Sequence, residues 1–372
     1  MRGRAGFLRA PGWAFAALAA LALAGCAAPQ SAALRASLPA DSGKPVGGQS
    51  AEAGQAGQAG QAGQAGQAGQ AGRAGQAGGP VHPVPALPPR ATIESVPFVA
   101  QSDYQCGPAA LAMTLAAAGR PVELQRLVDA VYLPARRGSL QAEMLAQPRR
   151  ESMLSLPVDA RLASMLRLVA DGVPVLVFQN LGLSWTPIWH YAVLVGYDLP
   201  AGVVVLHSGT EASMPMSIDA FERTWTRAGS WSMIVVDPAR IPASVDTMAA
   251  LRAAVALERL DRRAAMRAYD ALLARAPDER LVAFARANAL LADERPREAV
   301  DAYEALLARH PDFADAWNNL AHAFADAGDA QAAQRAAERA VALGGRSVDV
   351  YRQTAERMRR QAGPQRADSP AR

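Results

Sequence analysis

One cysteine of the chain, Cys106, stands in a sequence context that suits a nucleophile. Polar residues precede it up to Gln105, and Gly107 and Pro108 lead into the apolar run 109–115. Because glycine permits a tight turn and proline favours the first position of a helix, we predict that Cys106 lies at a helix N-terminus. Free backbone N–H groups and the positive end of the helix dipole stabilise a thiolate there. The context therefore predicts a reactive thiol.

A thiol nucleophile needs a base within hydrogen-bond reach. Three of the five histidines fall outside the segment around Cys106, which leaves His190 and His207. His190 opens an apolar run, 190–197, directly after the polar, tryptophan-rich stretch 184–189. A strand start beside a loop is a rim position from which an imidazole can reach a helix N-terminus, so we predict that His190 is the base. A histidine that only satisfies a buried turn is the alternative.

The N-terminus has the order of features typical of an export signal. Three arginines precede an apolar stretch, 13–24, that is too short for a spanning helix and ends in Leu-Ala-Gly-Cys at 23–26. This ending resembles a bacterial lipobox, which implies that Cys26 is acylated and becomes the first residue of the mature protein. Resemblance to sorted lipoproteins favours the outer membrane, facing the periplasm. An ordinary secretory signal is the alternative, and acylation of Cys26 leaves Cys106 without a disulfide partner.

Composition and periodicity divide the chain into five parts. Glycine recurs every third residue through the Gly-Gln-Ala tract 54–78, and the triplets hold no proline that would favour a collagen-like helix. We interpret the tract as a flexible tether whose root-mean-square span over some sixty residues is about 40–50 Å. The predicted parts are a signal peptide 1–25, a disordered tether 26–91, an α/β domain 92–240, helical repeats 246–360 and a disordered tail 361–372.

Within the α/β part, a helix-rich first half precedes strand-like runs. Helices are predicted from Cys106 onward and over 122–131 and 159–170, and strands over 173–178, 190–197, 203–207 and 231–236. The strands 190–197 and 203–207 are joined by a hairpin-like turn. This order indicates an α+β domain with an antiparallel sheet.

The C-terminal part is repetitive. Residues 268–278 recur almost unchanged as 302–312, an offset of 34 residues, and Ala265, Ala299 and Ala333 keep the same offset. This period is typical of tetratricopeptide repeats (TPRs), so we predict three helix pairs over about 246–345, capped by a helix over 351–360. Such pairs stack into an all-α superhelix whose concave face binds a protein partner.

Three motifs together resemble the C39-type peptidase domain of the papain-like cysteine peptidases, most closely the lipoprotein subgroup with a C-terminal TPR tail. They are Val-Pro-Phe-Val-Ala-Gln at 96–101, Cys-Gly-Pro-Ala-Ala-Leu at 106–111 and His-Tyr-Ala-Val-Leu-Val-Gly-Tyr-Asp at 190–198. The resemblance implies that Cys106 is the nucleophile, that His190 is the base and that Gln101 contributes to the oxyanion hole. Gln101 lies one residue closer to the cysteine than is usual in papain-like enzymes.

The orienting acid of that family normally opens an Asp-Pro pair on the strand after the histidine. This chain has His207-Ser208-Gly209 at that place and no carboxylate. Ser208 or His207 would then orient His190, or Asp198 would reach back to it, or the site would work as a Cys–His pair alone. The third member therefore stays open at this stage.

The sequence holds no motif for the other chemistries considered. Removal of Arg2, Arg4 and Arg9 lowers the net charge from +4 to +1, which is not the charge of a nucleic-acid-binding protein. The chain has no Gly-x-x-x-x-Gly-Lys-Ser/Thr loop for a nucleotide, no paired cysteines or His-x-x-x-His spacing for zinc, and no motif for a cofactor. The basic group Arg136, Arg137, Arg149 and Arg150 is interpreted as a solvated loop, with an anion site as the alternative.

These features predict a periplasm-facing, lipid-anchored cysteine peptidase that cleaves a peptide or isopeptide bond of a peptide or protein substrate. Its repeats would bind a protein partner, and Cys26 would carry the contact with the membrane. One alternative is peptidoglycan amide cleavage or transpeptidation at the same site. The other is a tethered scaffold with an inactive peptidase domain, which the missing acid at Ser208 motivates.

Overall fold

The structure is a computed structural model that describes residues 28–36, 87–101 and 104–362. The predicted signal peptide, Cys26, most of the predicted tether and all but two residues of the predicted tail lie outside these ranges. Within them, no helix is long and apolar enough to cross a membrane. The same ranges hold no cluster of His, Cys, Asp and Glu side chains suited to a metal ion.

The first domain is a mixed α/β unit. Its helices are α1 (Pro29–Ala36), α2 (Cys106–Ala117), α3 (Leu124–Val131), α4 (Gln141–Arg150), α5 (Leu162–Ala170) and α6 (Ile218–Arg227). Its strands are β1 (Arg90–Thr92), β2 (Tyr132–Leu133), β3 (Gly138–Ser139), β4 (Leu154–Pro157), β5 (Val175–Asn180), β6 (Trp189–Asp198), β7 (Val203–Ser208), β8 (Glu211–Ser217) and β9 (Ser232–Val236). The predicted α+β class is confirmed.

A seven-stranded antiparallel sheet carries this domain. Six strands follow the order β4-β9-β5-β6-β7-β8, and β1 also pairs with β6. The central strands β5, β6 and β9 are buried on both faces, which explains their near-continuous apolar sequences. Edge strand β8 was not predicted, because its alternating exposed residues and Pro215 suit only a sheet edge. β1, β4 and α4 were also missed.

Helices alone form the second domain. They are α7 (Thr247–Glu258), α8 (Arg262–Arg275), α9 (Arg280–Ala292), α10 (Pro296–Arg309), α11 (Ala314–Asp326), α12 (Ala330–Leu343) and α13 (Val348–Ala362). The second helices of the three pairs begin at residues 262, 296 and 330, 34 residues apart. Ala265, Ala299 and Ala333 are fully buried at equivalent places, because small side chains allow close approach of neighbouring helices. The predicted TPR register is thereby confirmed.

The first helix pair is continuous with the core of the α/β domain. Buried residues of α7 and α8, such as Leu257 and Leu272, belong to the same apolar cluster as the sheet. A polar contact adds to it: the carboxylate of Asp261, at the start of α8, accepts hydrogen bonds from Ser152 and from the Ala264 amide. The later repeats have a separate core around Tyr303.

The described part of the predicted tether departs from the prediction. Residues 29–36 form helix α1, which packs on α5 and α6, and Arg90 begins a strand of the sheet. The expectation that residues 26–91 pack against nothing is therefore wrong for these two stretches. Composition could not show the docking of α1, because polar and charged contacts hold the helix in place.

Candidate active site

Cys106 is the first residue of helix α2, after the N-cap residue Gln105. The amide of Ala109 donates to the carbonyl of Gln105 at 3.1 Å and closes the first turn. Pro108 is thus the third helical residue and not the first, as the sequence suggested. It is tolerated there because amides of the first turn have no partner within a helix.

Gly107 is required for close packing rather than for a turn. A Cβ atom on Gly107 would lie 2.5 Å from the Ser139 hydroxyl oxygen and 2.8 Å from its Cβ. Ser139 belongs to the small β2–β3 hairpin, and its buried hydroxyl has no hydrogen-bond partner among the described residues. No sequence pattern pointed to Ser139, since the contact joins segments that are distant in the chain.

The thiol of Cys106 lies against strand β6. It accepts a hydrogen bond from the backbone N–H of Tyr191, the residue directly after His190. The Tyr191 hydroxyl donates to the carbonyl of Ser139 at 3.1 Å and so ties β6 to the hairpin beside Gly107. The fold therefore brings the predicted nucleophile and the predicted base to one place.

His190 has a hydroxyl partner. Its Nε2 atom lies 2.9 Å from the Oγ atom of Ser208, at the end of the neighbouring strand β7. This bond orients the ring and leaves Nδ1 as the nitrogen that can take the proton of the Cys106 thiol. Of the sequence candidates for the third position, Ser208 is the residue that the structure places against His190.

The other two candidates serve elsewhere. The Nδ1 atom of His207 accepts the Ser213 amide at 3.1 Å, so its Nε2–H donates to the carbonyl of Val96 at 3.2 Å. Asp198 lies at the far end of β6, about 26 Å along the strand from His190. Its carboxylate pairs with Arg90 at 2.7 Å. The suggestions that His207 or Asp198 orients His190 are therefore wrong.

Gln101 is joined through its backbone to the residue that follows Ser208. Its backbone N–H donates to the carbonyl of Gly209, directly after Ser208, at 3.1 Å. Its side-chain Nε2 is buried and has no hydrogen-bond partner among the residues that the structure describes. A buried amide donor without a partner is costly, and one that faces a reaction centre is suited to bind a developing oxyanion.

Burial dominates the ionisation of both candidate catalytic groups. It raises the pKa of the Cys106 thiol, although the backbone N–H groups of Tyr191, Gly107 and Cys106 itself act to lower that pKa. Burial also lowers the pKa of His190. Desolvation by burial is the largest influence on both pKa values, and the backbone N–H groups at the start of α2 act against it at the thiol. The helix-stabilised thiolate stays a prediction.

An apolar hairpin leads into the strand that carries His190. The loop between β5 and β6 exposes Leu183, Trp185 and Ile188, and Trp185 keeps 79% of its surface accessible. The loop is rigidly held, since the side-chain oxygen of Asn180 accepts the amides of Gly182 and Ile188, both at 3.0 Å. Trp189, the first residue of β6, stacks on Phe178 with ring centroids 5.3 Å apart, and Phe178 in turn contacts Tyr191. The sequence predicted a tryptophan-rich loop at 184–189 but no contact of these side chains with a substrate.

The predicted basic group does not act as one anion site. Arg137 lies over the ring of Tyr104, with its guanidinium carbon 5.4 Å from the ring centre. Arg150 pairs with Glu143 at 3.4 Å, and burial lowers the pKa of Arg149. Arg136 is exposed at the end of a short 3₁₀ turn. The four arginines thus lie in different environments.

Comparison with known families and structures gave matches to both domains. Residues 93–233 match the Peptidase_C39 like family, and residues 280–323 match the tetratricopeptide repeat. No curated protein matched.

Three solved structures illustrate the likeness. A C39-like peptidase from Bacillus anthracis is 18% identical, with 40% of this chain and 97% of that chain covered and a TM-score of 0.34. A double glycine motif protease from an AMS/PCAT transporter, solved with its leader peptide, is 19% identical, with 39% and 93% covered and a TM-score of 0.31. MamA from Desulfovibrio magneticus RS-1 is 23% identical over 32% of this chain, with a TM-score of 0.29, and the chain spans 66% of its length.

Proposed function

The chain carries a C39-like peptidase domain followed by tetratricopeptide repeats, and we propose that this domain is a cysteine peptidase that hydrolyses a peptide or isopeptide bond. One observation carries the proposal. The thiol at the start of α2 is bonded to the amide directly after His190, and Ser208 holds the imidazole of His190 by its far nitrogen. The Gln101 side-chain amide, buried and without a hydrogen-bond partner among the described residues, supplies the remaining function that acyl transfer requires.

The proposed reaction begins from a neutral thiol and a neutral imidazole. As the sulfur of Cys106 attacks the carbonyl carbon, its proton passes to Nδ1 of His190, and Ser208 accepts a hydrogen bond from Nε2–H. Gln101 Nε2 and the Cys106 backbone N–H stabilise the oxyanion. The carbon–nitrogen bond then breaks, and His190 protonates the leaving amine. Water, deprotonated by His190, hydrolyses the thioester and restores the thiol.

The apolar hairpin between β5 and β6 points to the substrate class. A surface that exposes Trp185 and Ile188 in the loop that leads into the strand of His190 suits a peptide with large apolar side chains near the scissile bond. We expect Trp185→Ala to raise KM by about tenfold, through loss of roughly 1–2 kcal/mol of apolar contact, with kcat little changed. Thr186→Ala, in the same exposed loop, is the matched control. An unchanged KM in Trp185→Ala would remove this surface from the substrate site.

Lipid anchoring and the repeats complete the proposal. The lipobox-like run that ends at Cys26 supports a lipoprotein that faces the periplasm from the outer membrane, and Cys26 itself lies outside the described residues. The repeats support a protein partner on their concave face. A cavity of about 600 Å³ between α10, α11 and α12 is lined by residues that include Leu307, Trp317 and Phe324. Pull-down with a Cys106→Ala variant, which holds a substrate without cleaving it, tests the contact with the substrate and the contact of the repeats with a partner.

The decisive experiment follows the thiol and the product together. Wild type and the variants Cys106→Ala and His190→Ala are incubated with casein-type peptides and with muropeptides, and the products are identified by mass spectrometry. We expect cleavage by wild type alone and a thioester on Cys106 after rapid acid quench. Muropeptide products without peptide products would replace the peptidase with peptidoglycan chemistry at the same site.

Ser208 favours a second candidate function, an inactive peptidase-like scaffold. A hydroxyl replaces the carboxylate that family resemblance leads one to expect, and a hydroxyl stabilises an imidazolium less. The retained thiol, imidazole and buried Gln101 amide speak for activity. If no peptide, isopeptide or muropeptide is cleaved and Cys106 alkylates at the same rate in wild type and His190→Ala, the scaffold is the correct function.

A further inference from the structure

Helix α1 is held on the peptidase domain at its N-terminal end. The backbone N–H groups of Gln30 and Ser31, which have no partner within the helix, donate to the two carboxylate oxygens of Glu222 at 2.9 and 2.7 Å. Glu222 lies on α6 and is only 2% exposed. A buried carboxylate is stable when it accepts such bonds, so this contact is a specific one.

Gln30 returns the same kind of contact to the domain. Its side-chain oxygen accepts the amide of Leu162, the first residue of α5, at 2.7 Å, and its Nε2 atom donates to the carbonyl of Ala160 at 3.2 Å. Helix α5 has no other side-chain cap. Each of the two helix starts is thus capped by the other segment, across at least 130 residues of sequence.

A third contact fixes the rotation of α1. Ser31 is fully buried, and its hydroxyl donates to Asp219 at 2.7 Å. Arg35, one turn further along, pairs with the same carboxylate at 2.6 Å. On the other side of the helix, Ala33 is exposed. The contacts are one-sided: the polar ones are made by Gln30, Ser31 and Arg35, and Leu34 adds an apolar one against the domain core.

From these contacts we propose that residues 29–36 are a built-in docking peptide, which holds the membrane anchor directly against the α5–α6 surface of the peptidase domain. The proposal rests on the proposed acylation of Cys26. Two residues separate Cys26 from Pro29, so the chain between them reaches about 10 Å at most. A chain free from Cys26 to Arg90 would instead span about 40–50 Å.

The docking changes the part played by the Gly-Gln-Ala tract. Both ends of the segment 37–86 start from the domain, at Ala36 and Leu87, so the tract closes a loop on the domain instead of spacing it from the membrane. A loop of this length also keeps the docking peptide at an effective concentration of about millimolar. The α5–α6 surface then faces the bilayer, and substrates near the membrane surface come first within reach.

Hydrogen exchange on the full acylated chain in phospholipid vesicles tests the docking. We expect the amides of 31–36 to exchange at least tenfold more slowly than an unstructured peptide. Ser31→Arg, which fills a buried position, removes that protection, and Ala33→Arg, the same change on the exposed side, retains it. Thermal unfolding of both variants checks that the domain stays folded. Equal exchange in wild type and Ser31→Arg overturns the proposal.

Cleavage of the tract supplies the positional readout. With a specific protease site inserted within 60–66, the cleaved domain stays on the vesicles in wild type and Ala33→Arg and is released in Ser31→Arg. Release of the cleaved wild type shows that α1 does not hold the domain. Intact mass of the same samples reports acylation of Cys26. A missing acyl chain refutes the proposed anchor, whereas the exchange measurement still decides the docking.

Discussion

Removal of the Ser208 hydroxyl isolates the group that orients the candidate base. Its Oγ atom lies 2.9 Å from Nε2 of His190, and Asp198, the carboxylate that the sequence offered as an alternative, is bonded elsewhere. In the transition state His190 carries the thiol proton, so the bond becomes one between an imidazolium N–H and a hydroxyl oxygen. Hydrogen bonds to charged groups contribute about 1.5–3 kcal/mol.

This range sets the expected loss for Ser208→Ala. Each 1.36 kcal/mol of transition-state stabilisation is a factor of ten in rate, so kcat/KM falls by about 10–150-fold. Most of the fall appears in kcat, because the bond strengthens only when His190 becomes charged. Loss of the acceptor also lowers the pKa of His190 beyond the lowering that burial already causes. The acid limb of the pH–rate profile, where activity disappears as His190 protonates, therefore moves to lower pH.

Steady-state hydrolysis of a fluorogenic peptide between pH 4 and 10 measures both quantities, and thermal unfolding checks that the variant is folded. Ser184→Ala, in the exposed loop near the site, is the matched control. Ser208→Asp adds the absent carboxylate and should move the acid limb to higher pH. A change of less than twofold in kcat/KM for Ser208→Ala, or an unmoved acid limb, would show that Ser208 does not act through His190.

Three further predictions concern the thiol, its packing and the repeats. Alkylation of Cys106 by iodoacetamide should still rise above pH 8.5, the usual thiol pKa, because burial raises the pKa of this thiol; a plateau from pH 5 upward would indicate an ion pair instead. Gly107→Ala should destabilise the domain by about 1–3 kcal/mol in urea, and Ser139→Gly should restore most of the loss; no restoration would refute the contact. Tyr303→Ala should cost the repeats about 3–5 kcal/mol and leave Cys106 alkylation unchanged; a change would reveal coupling between the two cores.

Local patterns carried most of the fold. The apolar runs that predicted strands at 173–178, 190–197, 203–207 and 231–236 correspond to β5, β6, β7 and β9, with ends shifted by up to two residues. These strands could be predicted because strands buried on both faces have nearly continuous apolar sequences. Strand β8 could not be predicted, since half of the residues of an edge strand face water and its sequence resembles that of a loop.

The candidate site was predictable in its residue types and not in its connections. Cys106 and His190 stand in local contexts that any reader of the chain can see, and the structure brings them to the same strand end. The sequence could not predict that Ser208 rather than His207 contacts His190. Neighbouring residues of a strand point to opposite faces, and only the folded sheet shows which face meets His190. The burial that raises the pKa of the thiol was also hidden from the sequence, since burial is a tertiary property.

The sequence by itself determined the two-domain order, the 34-residue repeat, the antiparallel sheet and the identity of the candidate nucleophile and base, because each is written in spacing along a few dozen residues. Only the tertiary structure decided which hydroxyl lies against His190, that burial raises the pKa of the thiol and that residues 29–36 return to the domain surface. Those features depend on desolvation and on hydrogen bonds between segments up to 192 residues apart. Local spacing cannot encode such contacts, because they exist only after the chain has folded.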